Sequence, residues 1–243
     1  MKRLLCLAAI ALLAMPVFAR DVRTETFASD FQTVPVMANT VGAGGAVFRT
    51  LVSILNPTSA AFPVDATLYD AAGTEHVAVI ALAAGESKTF TNFLNDVFDY
   101  SGGGAVTFRS SNPDQRFIIS AEIWTDGGRY GTGIPAIEFP GSDSPSFSPG
   151  IAVGTLSRTN VGCFNQAETE NRITATVLDA SGLAIGSVEL KLPGNAWGQT
   201  ALSTIINGGT VRYTPSDAAV CYAVVVDNST NDGRFIPAAE YRP

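Results

Sequence analysis

Arg49-Thr50-Leu51-Val52-Ser53-Ile54-Leu55-Asn56 and Arg158-Thr159-Asn160-Val161-Gly162-Cys163-Phe164-Asn165 are two versions of one line. Each opens on Arg-Thr and closes on asparagine. The same displacement of 109 residues carries Leu68-Tyr69-Asp70-Ala71-Ala72-Gly73 onto Val177-Leu178-Asp179-Ala180-Ser181-Gly182, and Gly85 onto Gly194. Further along, Gly103-Gly104-Ala105-Val106-Thr107-Phe108 returns as Gly208-Gly209-Thr210-Val211-Arg212-Tyr213 at a displacement of 105. Ile134-Pro135-Ala136-Ile137-Glu138-Phe139 returns as Ile236-Pro237-Ala238-Ala239-Glu240-Tyr241 at 102. The displacement changes only in the loops between blocks. Collinear matches of this kind predict an internal duplication.

The matched blocks are short runs rich in Val, Ile, Thr, Phe and Tyr, separated by Gly, Asn, Asp and Pro clusters, which is the pattern of strands and turns. The fold class expected is all-β: two tandem antiparallel β-sandwich domains. Only Phe93-Leu94-Asn95-Asp96-Val97-Phe98 suits a helical turn, with Leu94, Val97 and Phe98 on one side. Asp70-Ala71-Ala72-Gly73 and Asp179-Ala180-Ser181-Gly182 read as hairpin tips, where Asp and Gly tolerate turn geometry. Alternation places Phe48, Thr50, Val52 and Ile54 on one face of the early strand, and Phe117, Ile119, Ala121 and Ile123 on one face of a late one. In the second copy, Cys163 takes the place of Ile54 and Cys221 that of Ile119.

Around these repeats, the chain divides into a signal peptide over 1–19, an extension over 20–33, a first repeat over 34–140, a linker over 141–146 and a second repeat over 147–243. Met1-Lys2-Arg3, the apolar run Leu4–Leu13 and Val17-Phe18-Ala19 before Arg20 match the three regions of a cleavable export signal. That run is shorter than the roughly 20 residues of a membrane helix, so no membrane span is expected. The extension is expected as an extra edge strand or a disordered lead. Export places the protein in the periplasm, on the cell surface or outside the cell. In such an oxidising setting Cys163 and Cys221 are expected to pair, with two buried free thiols as the alternative.

Loss of Lys2 and Arg3 takes 15 basic residues to 13 against 22 acidic ones, a formal charge of about −9. Clustered Lys and Arg are absent, which argues against nucleic acid as a partner. A content of 46% hydrophobic residues is enough for a packed core.

Catalytic equipment is sparse. His76 is the one histidine and sits at a hairpin end, and no Gly-x-Ser-x-Gly occurs. One His and two paired Cys do not make a zinc site. Asp227-Asn228-Ser229-Thr230-Asn231-Asp232-Gly233 is oxygen-rich, but Asp232 stands where a calcium loop wants glycine. Glu138 and Glu240 occupy matching positions in different copies, so they suggest a structural role, bonding to an arginine such as Arg49 or Arg158. No enzyme, cofactor or metal is expected.

Two surfaces suggest binding. Trp124 shares an outward face with Ile118, Ser120 and Glu122 and is followed by Asp126-Gly127-Gly128-Arg129-Tyr130. Glu122, Trp124, Asp126, Arg129 and Tyr130 would suit a sugar ring stacked on the indole with its hydroxyls bonded by the polar groups. The alternative is that Trp124 packs under a loop or against the other domain. In the second copy the corresponding face reads Val220, Tyr222, Val224 and Val226, too apolar for water. It should be covered by residues 20–33, by the other domain, or by a partner chain in a homo-oligomer.

Phe48-Arg49-Thr50, Asn56-Pro57-Thr58, Leu68-Tyr69-Asp70, Gly103-Gly104-Ala105 and Tyr130-Gly131-Thr132-Gly133-Ile134-Pro135 resemble the tandem immunoglobulin-like β-sandwich modules of large, mostly uncharacterised exported bacterial proteins. The second copy departs from that pattern, lacking Asn-Pro after its first matched strand. The resemblance implies surface, adhesive or spacer roles, and a bridge between Cys163 and Cys221 akin to the inter-sheet disulfide of immunoglobulin domains. The function expected is surface attachment or assembly through a sheet face, with a protein partner, or alternatively binding of a cell-surface glycan through Trp124.

Overall fold

The computed structural model describes residues 28–42, 45–125, 130–138 and 140–240. The expected signal peptide lies outside these residues. The described chain is all-β, in antiparallel sheets, with one short helix. Among the described residues no helix is long and apolar enough to cross a membrane.

The first half runs β1 (Phe31–Val41), β2 (Val47–Leu55), β3 (Phe62–Tyr69), β4 (Glu75–Leu82), β5 (Ser87–Phe90), helix α1 (Phe93–Phe98), β6 (Gly102–Ser110), β7 (Ile118–Thr125) and β8 (Tyr130–Ile134). Its strands pair in the order β4-β3-β6-β1-β2-β7-β8, with β5 also paired to β2. The second half runs β9 (Ser146–Val153), β10 (Ser157–Asn165), β11 (Asn171–Leu178), β12 (Ala184–Leu192), β13 (Trp197–Ala201), β14 (Ile206–Pro215), β15 (Ala219–Asp227), β16 (Gly233–Pro237) and β17 (Ala239–Glu240). It forms two sheets, β12-β11-β14-β9-β17 and β13-β10-β15-β16. The orders β12-β11-β14-β9 and β13-β10-β15-β16 repeat β4-β3-β6-β1 and β5-β2-β7-β8, but β9 and β10 do not pair as β1 and β2 do.

Alternation makes the strands. In β3, Phe62, Val64, Ala66 and Leu68 are buried while Pro63 and Asp65 are exposed. Thr50, Val52 and Ile54 face the core of the first half, as do Phe117, Ile119 and Ala121, with Ile123 partly buried against it. The second-half core gathers Val161 and Cys163 from one sheet with Ile173, Val177 and Tyr213 from the other. In α1 the fully buried residues are Phe93 and Leu94, with Val97 and Phe98 only partly buried. Phe93 meets Phe90, Phe98 and Phe108 at centroid distances of 5.3–5.8 Å, a cluster that helical spacing alone does not predict.

Residues 31–33 are neither an edge strand nor a lead. They begin β1, which lies inside the sheet, paired to β6 through Phe31–Asn39 and to β2 through Asn39–Val41. The register of β1 shifts between Val34 and Met37, around Pro35, which has no amide hydrogen to give the ladder. Pro149 stands beside a comparable shift between β9 and β14. Buried threonines join the strands nearby. Thr50 Oγ1 donates to the Ala38 carbonyl and accepts from its amide, and Thr159 does the same with Ala152.

Asn56 and Asn165, both fully buried, play one role in the two halves. Asn56 Nδ2 donates to the carbonyls of Ala60 and Ala83, and Asn165 Nδ2 to those of Thr169 and Pro193. Each side-chain oxygen accepts from the loop amide two residues on. Alanine at either position strands buried carbonyls, and we expect a loss of about 1–3 kcal/mol, read as a lower urea midpoint at unchanged m.

Cys163 and Cys221 are bonded, 58 residues apart in sequence. They face each other across the β10–β15 ladder, as Ile54 and Ile119 do across β2–β7. The bond therefore joins neighbouring strands of one sheet, and the expected likeness to an inter-sheet bridge is corrected. Both strands sit side by side, so two inward-pointing cysteines at the same register meet without crossing the core.

Candidate functional site

The outer face of the β13-β10-β15-β16 sheet is covered by the first half. Tyr222 is wholly buried and joins the core cluster of the first half, with Trp197, Val224 and Phe235 packed against it. Of the three covers open to this apolar face, the structure uses the neighbouring half. Two glycines make room for these aromatics, Gly103 across the contact between the halves and Gly162 within the sheet itself. A side chain at Gly103 of β6 would meet the Trp197 ring at 2.8 Å, and one at Gly162 of β10 would collide with the Tyr222 phenol.

Polar contacts order the covered face within the second half, and two backbone donors tie it to the first. Trp197 Nε1 donates to the Tyr222 hydroxyl at 2.9 Å, which donates to Gln199 Oε1 at 3.1 Å. Burial raises the Tyr222 hydroxyl far above the ordinary phenol range, so it remains a neutral donor. The Trp197 amide donates to the Asp70 carbonyl, Phe235 N to Thr132 Oγ1, and Tyr69 lies 4.9 Å from the Phe164 ring.

Between the halves lies a cleft of about 540 Å³. From the first half it takes Val36, Met37, Phe48, Ile123, Trp124 and Ile134; from the second, Trp197, Val224 and Val226. Polar groups are few, and among the described residues Arg158 is the one charged side chain in the lining. Such a site, apolar with a few placed polar groups and set between two packed units, is the usual form of a small-molecule pocket. A second, more polar recess shares Trp124, Thr125, Tyr130 and Asn231 with the cleft and adds Arg49 and the loop 229–230.

The candidate residues separate here. Trp124 and Tyr130 both line the cleft and the recess. Trp124 is half-buried, and the Arg49 guanidinium stands 5.9 Å from its ring centroid, a cation–π placement. Glu122 is exposed on β7, lies against Gly131 and does not line the cleft. Asp126 and Arg129 lie outside the described residues.

Arg158 is partnered differently from the expected carboxylate. Its guanidinium donates to Asn228 Oδ1 at 3.1 Å and Asn231 Oδ1 at 2.8 Å. Asp227 turns inward on its own loop, accepting from Ser229 N, Ser229 Oγ and Thr230 N, and these bonds hold its carboxyl below the usual range. His76 pairs with Asp70 at 3.3 Å, away from the cleft lining. Burial pushes Asp70 up, but the Thr74 amide, His76 and the Ala72 amide outweigh it and leave that carboxyl low. Among the described residues no group of three or more His, Cys, Asp or Glu side chains could hold a metal.

Reading by repeats missed Trp197, Asn160, Gln199 and the cleft role of Arg158. A signal for the first was present: at the displacement of 109, Trp197 stands where the first copy has Lys88. Gly162, inside a central strand, was another, since such a glycine marks a close approach.

Compared with known proteins, the chain matches no family model and no curated protein. Among solved structures it is similar to a Bacteroides uniformis beta-glucuronidase 2, captured covalently bound to cyclophellitol-6-carboxylate aziridine. The identity is 12% and the TM-score 0.17, with 81% of this chain and 26% of that chain covered. At that score the likeness carries no argument about fold or activity.

Proposed function

We propose that the protein is an exported, noncatalytic binding protein, built from two copies of one duplicated immunoglobulin-like sandwich module, that takes its ligand in the cleft where the modules meet. The observation that carries this reading is the cleft itself: about 540 Å³, walled by Trp124, Trp197, Phe48 and aliphatic side chains, and lined by both halves. The matching strand orders, the paired threonines and the paired asparagines support duplication. The Cys163–Cys221 bond suits a periplasmic, cell-surface or secreted setting. Its place within one sheet is a departure from the immunoglobulin pattern. Among the described residues no carboxylate lines the cleft, and His76 is tied to Asp70 elsewhere, which favours binding over acid–base chemistry.

Attachment or assembly remains a second reading, carried by another observation. Val77 and Val79 on edge strand β4, and Leu183 and Ile185 beside edge strand β12 and on it, are exposed at 40–67%.

The test is a thermal-shift panel of oligosaccharides and apolar small molecules against the purified protein and Trp124→Ala. A ligand at a hundred times its Kd adds about 2.7 kcal/mol, several degrees of Tm in a chain this size. We expect at least one ligand whose shift disappears in the variant. Hits confined to sugars would favour the glycan reading through Trp124, and a panel without hits would leave attachment through the strand edges.

A further inference from the structure

The strand register sets the cleft's long axis. On the outer face of β10 come Arg158, Asn160, Gly162 and Phe164 in turn. Beside them on β15 run Val226, Val224, Tyr222 and Val220, and on β13 Ala201, Gln199 and Trp197. The Gly162 end is stoppered by Tyr222 and Trp197, which pack against the first half. At the Arg158 end stands Asn231, which together with Thr125 and Tyr130 lines both the cleft and the polar recess. Four residues of strand, about 13 Å, separate the two ends. The cleft is thus closed and apolar at one end and polar at the other.

Two observations at the polar end ask for a ligand group. Arg158 is oriented by two neutral amide oxygens, and Asn228 is itself fixed by donating Nδ2 to the Gly154 and Thr155 carbonyls. A guanidinium has five donors in a rigid fork, so amide acceptors orient it while leaving its charge to attract an anion. Thr125 is 3% exposed and lines the cleft, and among the described residues its hydroxyl has no hydrogen-bond partner. A buried hydroxyl is seldom left so.

The geometry points to an amphipathic monoanion as the occupant: an apolar body lying along β10 towards Trp197, with a carboxylate or sulfonate head at Arg158 and Thr125. This rests on the cleft being a ligand site and adds the chemical class. The placement gives a role to Arg158, the one charged side chain among the described lining residues, in a chain with a formal charge of −7.

The experiment uses two fluorescent probes with related frameworks, anionic 1-anilinonaphthalene-8-sulfonate and neutral N-phenyl-1-naphthylamine. They are titrated into wild type, Arg158→Gln, Thr125→Val and Ala201→Trp, each checked for native circular dichroism. Ala201 is exposed at the cleft's rim on edge strand β13, so a large side chain there blocks the cleft while sparing the core. The expected result is loss of both probes in Ala201→Trp. Arg158→Gln should weaken the anion by about tenfold or more, the usual worth of a charged hydrogen bond, and leave the neutral probe within about twofold. Thr125→Val, which keeps Arg158 in place, should weaken the anion in the same direction by less. Equal binding of the anion to wild type and Arg158→Gln, with Ala201→Trp still blocking, overturns the head-group assignment and leaves the cleft reading standing. Binding of neither probe, or binding indifferent to Ala201→Trp, overturns both.

Discussion

Replacing Cys163 and Cys221 together by alanine should lower the stability of the chain by about 4 kcal/mol. The chain-entropy estimate for a loop closed over 58 residues is of that size. Both side chains are also buried in the second-half core, so truncation adds a packing loss. A double valine variant separates the two, since it refills much of the volume without closing the loop. The check is equilibrium urea unfolding of oxidised wild type, reduced wild type and both variants. A midpoint that does not move on reduction would mean that the β10–β15 ladder alone restrains this part of the unfolded chain.

Tyr222→Ala should cost about 3–5 kcal/mol, the range for a buried aromatic reduced to a methyl. The change empties a site shared by both halves, because Tyr222 belongs to the core cluster of the first half while its strand belongs to the second. It also strands Trp197 Nε1 and leaves the stacking on Phe235 without a partner. We therefore expect the calorimetric trace to change shape, from one transition in the wild type to two in the variant. Tyr222→Phe keeps the ring and removes only the hydroxyl, and should cost about 1–2 kcal/mol with a single transition preserved. A single unmoved transition in Tyr222→Ala would show that the halves are coupled elsewhere, through the Asp70–Trp197 or Thr132–Phe235 contacts.

Strands were legible in the sequence because alternation is local. Phe48 to Ile54 and Phe117 to Ile123 declare their inner faces without reference to anything else in the chain. The apolar outward row Val220, Tyr222, Val224 and Val226 likewise announced that it would be covered, but not by what. Covering is a property of two distant surfaces, and Gly103, small where Trp197 of the other half needs room, hints at the match. The disulfide shows the same boundary: inward-facing positions follow from alternation, whereas being neighbours in one sheet depends on β15 adding to β10. The cleft was half legible. Trp124 and Tyr130 stood out as aromatics among polar residues, while Arg158 read as a member of a repeated Arg-Thr block, and its amide partners on the loop after β15 lie some 70 residues away.

The contact between the halves has a direction: the second half offers the face of a sheet, and the first receives it on another part of its surface. Contacts of this heterologous kind do not close on themselves and can propagate into fibres when every unit carries both surfaces. Here the matching face of the first half has been disarmed. Ser120 and Glu122 stand where the second half has Tyr222 and Val224, so a further unit docking in the same way would bury a carboxylate against apolar side chains. We expect Ser120→Tyr with Glu122→Val to promote association of chains, read as a larger species by size-exclusion chromatography beside the wild type.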